Sequence, residues 1–184
     1  MTLWSACEHA DLAAVRACLD EGASVAERNR LGWNALHRAV MSGSTACVAL
    51  VLPEEAAARV ELLARPDMDG NAPLHMAAGC GHAAVVTQLI GAGAAPDVPK
   101  RTDDERKEEG ATPMHTLCKA LAAAAEEPER QERLFATVLA LLNGGGLLES
   151  QDDRGRMAAA FLPPATQKQL LERVRAAAAR GPPG

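Results

Sequence analysis

An all-α solenoid of stacked helix-turn-helix units with short hairpin connections is the fold this sequence predicts, and three observations predict it. One pattern occurs three times: Gly32-Trp33-Asn34-Ala35-Leu36-His37-Arg38-Ala39, Gly70-Asn71-Ala72-Pro73-Leu74-His75-Met76-Ala77 and Gly110-Ala111-Thr112-Pro113-Met114-His115-Thr116-Leu117. Self-similarity at an interval of tens of residues marks a repeat architecture. Apolar residues make up 48% of the 184 residues, yet aromatics are only 2% and Tyr is absent, so Ala supplies much of the apolar surface. Thin, closely stacked helices can use Ala at their contacts, whereas a single large core needs bulkier side chains. Behind the pattern, apolar residues recur at helical spacing, as in Val85, Val86, Leu89 and Ile90.

The glycines at 32, 70, 110 and 155 set the frame, with steps of 38, 40 and 45 residues. A first unit precedes them, because Leu3-Trp4-Ser5-Ala6 aligns with Leu36-His37-Arg38-Ala39 at a step of 33. It has Trp4 where the others carry His and lacks the Thr-Pro start, as befits a terminal cap. In the second unit Gly43-Ser44 separates two helices, and Pro53 ends the second helix or starts an appended one. Glu54 to Arg65 then replaces the usual reversing turn. The third unit is the most regular, with Gly81-His82 between helices and Gly91-Ala92-Gly93-Ala94 closing it. Its exit loop, 99–109, is charged and about seven residues longer than the repeat requires, and the lack of an apolar anchor makes mobility the expectation. The fourth unit carries an insertion over 121–132 between its helices, with the second helix restarting at Arg133. After Gly155 the pattern decays, Pro163-Pro164 interrupts, and Gln167 to Arg180 forms a capping helix with Leu170, Leu171 and Val174 on one side. The units thus span about 1–28, 29–66, 67–106, 107–151 and a degenerate cap 152–180 within one domain, 1–180. The tail 181–184 is expected to be disordered.

The pattern resembles the ankyrin repeat, and Ala111-Thr112-Pro113-Met114-His115 carries that signature almost intact. The resemblance covers about Leu3 to Arg175. It implies that the His of each unit bonds backbone and neighbouring hairpin groups, tying one repeat to the next. It also implies a curved stack whose hairpin tips and first helices line a concave, protein-binding face. Thr112 before Pro113 suits a helix start, since Thr caps and Pro loses nothing in the first turn. Asn34 can cap in the second unit, where the Pro is missing.

The residues argue against other chemistry. A net charge of −5 offers no basic face for nucleic acid. No apolar run approaches the roughly 18 residues of a membrane span, and no signal peptide is visible. The five cysteines are an odd number, mostly at small-residue positions, so free thiols in a reducing compartment, cytoplasmic or nuclear, are expected. Cys80, His82, His115 and Cys118 have the side chains of a zinc site, but each has an ordinary place in the repeat, and neither metal nor cofactor is expected. No nucleophile elbow or phosphate loop occurs, and Asn143-Gly144-Gly145-Gly146 ends a helix. No enzymatic activity is expected.

The function expected from the resemblance is a non-enzymatic scaffold or adaptor, monomeric, binding a partner protein. The alternative is a regulatory or substrate-recognition subunit of a larger enzyme assembly such as a ubiquitin ligase. The residues flanking each turn glycine and ending each first helix would face the partner: Arg30, Leu31, Trp33 and Met41 in the second unit, Met68, Asp69 and Asn71 in the third, Glu108 and Lys119 in the fourth. Trp33 heads them, because Trp and Arg dominate interface hot spots. A second reading stands beside it, in which Trp33 packs on Trp4 or Met41 and seals the first groove.

Overall fold

A computed structural model describes residues 1–101 and 110–180. Most of the loop 99–109 and the tail 181–184 therefore lie outside the described residues. Among the described residues there are ten α-helices, one 3₁₀ turn and no strand.

The first pair is α1 (Leu3–Glu8) and α2 (Leu12–Asp20), started by Thr2 and Asp11, whose side chains accept from the Ser5 and Ala14 amides. These contacts satisfy donors that have no partner inside the helix. The second pair is α3 (Ala35–Met41) and α4 (Thr45–Val51), capped by Asn34, as the sequence predicts, and by Ser44. Pro53 follows α4, and an appended helix α5 (Ala56–Ala64) fills the segment before the next repeat, burying Leu62 and Leu63. The third pair, α6 (Pro73–Cys80) and α7 (Ala83–Gly91), begins with Pro at its first helical position.

In the fourth pair, α8 (Pro113–Ala123) and α9 (Pro128–Asn143), the structure departs from the expected insertion between helices. The second helix starts at Pro128 rather than Arg133. Pro supplies the favoured first-turn residue and Glu129 complements the helix dipole there. The extra residues thus become helix, and α9 runs to 16 residues against nine in α7. The cap pairs a 3₁₀ turn (Ala158–Phe161) with α10 (Pro164–Arg180), which also starts at a proline, three residues before the predicted Gln167.

The helices form two rows of near neighbours. One runs α1, α3, α6, α8 and the 3₁₀ turn; the other runs α2, α4, α7, α9 and α10. Between them lies one continuous core that includes Leu36, Leu74, Met114, Leu117 and Leu141, all fully buried. Each unit leans only on its neighbours, which is the quasi-one-dimensional packing of a solenoid.

Candidate functional site

The site is built on the hairpins, and three of them are built on an Asn or Asp three residues before the turn glycine. The Asn29 side chain accepts from the Leu31 and Trp33 amides. Asp67 Oδ1 accepts from the Asp69 and Asn71 amides, and Asp152 Oδ1 from the Arg154 and Arg156 amides. The same residues close the loop through their backbones: Asn29 to Trp33, Asp67 to Asn71 and Asp152 to Arg156, at 2.9–3.0 Å. Such side-chain bonds reproduce a backbone turn and hold two tip residues outward. In the fourth unit Lys100 takes the Asp position, and its amide bonds the Ala111 carbonyl at 2.9 Å. Ten positions, not three, then separate it from Gly110. The sequence between Lys100 and Gly110 is therefore seven residues longer than the matching stretch of the other hairpins.

Neighbouring hairpins stack through these glycines. Gly32 has φ +77°, and a Cβ there would stand 2.9 Å from the Met68 amide nitrogen. Gly70 has φ +79°, and a Cβ would reach 2.7 Å from the Arg101 carbonyl oxygen. Both conditions exclude a side chain. The Met68 amide donates to the Leu31 carbonyl at 3.0 Å, and Arg28 bridges the Gly32 and Pro66 carbonyls at 2.9 and 2.7 Å.

Two buried histidines, His75 and His115, fasten helices to hairpins. In His75, Nδ1 accepts from the Ala72 amide at 3.2 Å, so Nε2 carries the proton and donates to the Ala111 carbonyl at 2.9 Å. His115 repeats the arrangement with the Thr112 amide and the Arg156 carbonyl, at 3.1 and 2.9 Å. Each histidine thus ties its own unit to the one that follows. For His75 the join is between the third and fourth units. Burial lowers the pKa of both His37 and His75 to about 4, which keeps them neutral at ordinary pH. His82, expected in an exposed turn, is half-buried instead. Its ring covers Gly43, and Nε2 lies 3.3 Å from the Met41 carbonyl.

Trp33 has polar partners in two units. Its indole Nε1 donates to Asp67 Oδ2 at 3.1 Å, and the Arg38 guanidinium lies 4.8 Å from the ring centroid. Arg38 in turn pairs with Glu8 at 3.2 Å. The ring is half-buried between the second and third units. Leu31 and Met68, by contrast, stand 55% and 61% exposed on two hairpins joined by a direct backbone bond. Arg30 and Asp69 are exposed beside them, and Met41 is 40% exposed at the end of α3.

The profile described as ankyrin repeats (3 copies) matches residues 3–102, more than half of the chain. The chain belongs to the ankyrin-repeat family. No curated protein matches it.

Ankyrin geometry accounts for two further candidates. Asn71 turns inward, its amide nitrogen 3.2 Å from both Asp67 oxygens. Lys119 lies 4.3 Å from the Phe161 ring centroid, with Arg156 at 4.9 Å beside the same ring. Glu108 lies outside the described residues. The structure therefore brings Arg30, Leu31, Met68 and Asp69 together at the tips, sets Trp33 beneath them and leaves Lys119 apart in the fourth unit.

The Cys and His residues have structural surroundings. Burial pushes the Cys118 thiol up to about 12, and both His115 ring nitrogens are bonded. Among the described residues no three His, Cys, Asp or Glu side chains gather to hold a metal ion. All five cysteines are free thiols. Asn29, Asp67 and Asp152 are the residues that the sequence reading missed. Their signal was present, an Asn or Asp at a fixed interval of three before Gly32, Gly70 and Gly155.

Proposed function

We propose that this ankyrin chain is a non-enzymatic adaptor that binds a partner protein through the hairpin tips and inner helices of its second and third units. One observation carries the reading: Leu31 and Met68, large and apolar, are exposed side by side on tips whose backbones are locked by Asn29, Asp67 and the bond between them. Exposed apolar side chains on a rigid mount lose little conformational freedom on binding, which favours affinity. Met adapts to the partner's shape, and Arg30 and Asp69 supply a polar rim. Five free thiols, four of them buried, support a reducing compartment, the cytoplasm or nucleus. No described helix is long and apolar enough to cross a membrane.

The paired substitution Leu31→Asp and Met68→Asp tests the proposal, with Val60→Asp on α5 as the exposed control. We expect the pair to abolish capture of the partner while the melting temperature stays within about 2 °C, as for substitutions of exposed side chains that leave the backbone in place. The control should keep the partner. Equal capture by both variants would refute the proposed surface. Co-capture of an enzyme assembly by the unsubstituted chain would make the adaptor its recognition subunit.

A further inference from the structure

The two ends of the stack differ in charge and in shape. Residues 1–28 hold five carboxylates against two cations, whereas 152–180 hold six cations against three carboxylates. At the acidic end a cavity of about 510 Å³ opens between the start of α1 and the end of α2, with Leu3, Trp4 and Cys18 on its walls. The Cys18 thiol, 3.4 Å from the Met1 carbonyl, ties the chain start over one side. Glu21 and Glu27 stand exposed on its rim, and no Lys, Arg or His side chain lines it.

At the opposite end, α10 turns Thr166 and Leu170 into the core. Its outward face carries Lys168, Leu171 and Arg175, spaced three and four residues apart and so aligned on one stripe. Leu171 is 50% exposed, and among the described residues Lys168 and Arg175 make no ion pair or hydrogen bond. Their neighbour Arg173 is already committed, donating to Glu132 at 2.8 Å.

We propose that these ends bind each other between copies, so that α10 of one chain docks at the first unit of the next. The row order supports this occupant above others. Second helices follow one another as α2, α4, α7, α9 and α10, and α10 of another copy takes the place before α2. Leu171 then meets Leu3, Trp4 and Cys18 in the cavity, while Lys168 and Arg175 approach Glu21 and Glu27. Burial of the apolar contact supplies affinity, and opposite charge sets the direction. The contact is head-to-tail, uses two different surfaces and leaves a free end after every addition, so it builds open chains. On this proposal the protein is monomeric only at low concentration.

Sedimentation velocity over a concentration series tests this, with two double variants: Glu21→Lys with Glu27→Lys, and Lys168→Glu with Arg175→Glu. The unsubstituted chain should grow in mass with concentration at low salt and lose roughly tenfold in association at about 1 M salt, where exposed charges are screened. Each double variant alone should stay monomeric. Mixed in equal amounts, the two variants should associate again into alternating chains, because the native contact and the charge-reversed contact both pair opposite charges. All substituted side chains are exposed, so melting by circular dichroism should be unchanged; the salt series reads the same contact without any substitution. A chain that stays monomeric at every concentration at low salt would overturn the proposal. So would variants that each associate alone as well as the unsubstituted chain, or a mixture that stays monomeric.

Discussion

Both oxygens of the Asp67 carboxylate are fully employed. They accept from the Asp69 and Asn71 amides, the Asn71 side chain and the Trp33 indole, in a residue only 7% exposed. Asp67→Ala strands these donors, and we expect a loss of about 3 kcal/mol in chemical denaturation, with Asp67→Asn losing less. The histidines give a pH signature. In the unfolded chain they titrate near the ordinary His value of about 6.5, whereas folded His37 and His75 titrate at about 4. Their contribution to stability is complete above the unfolded value and is lost as pH falls toward the folded one. Between pH 6.5 and 4, denaturation should show on the order of 3 kcal/mol lost for each imidazole, and Phe at either position should remove that histidine's share of the slope. The placement of these histidines was legible from the repeat. The fate of Trp33 was not, because its partners Arg38 and Asp67 lie in two units that only the fold brings together.

Among the elements, the regular helix pairs followed directly from glycine spacing and apolar periodicity. The departures came where local chemistry extended a helix. Pro128 and Pro164 mark first helical turns, a signal passed over when their segments were read as insertion and break. The appended α5 was legible only as one of two outcomes at Pro53, since its short apolar run needed α6 to bury against. The seven extra residues between Lys100 and Gly110 give a prediction at this scale. Deleting seven residues there and replacing Lys100→Asp restores the spacing of the other hairpins. Loop closure becomes cheaper and a side-chain turn is regained, which should raise stability by about 1–2 kcal/mol in thermal or chemical denaturation.

Across the whole molecule, a stack of local contacts holds a line of hairpin tips, and the proposed function rests on which tips carry apolar side chains. The sequence displayed the tip positions through the turn glycines. It did not show that Asn71 would turn inward or that Lys119 would lie on Phe161, because both depend on neighbouring units. The central claim is that a partner protein meets the tips of the second and third units. A photoactivatable cross-linking residue placed in turn at positions 31, 68 and 60 tests it most directly. The account predicts covalent adducts to one partner from 31 and 68 and none from 60, which lies on α5. Adducts from position 60 alone, or equally from all three, would contradict it.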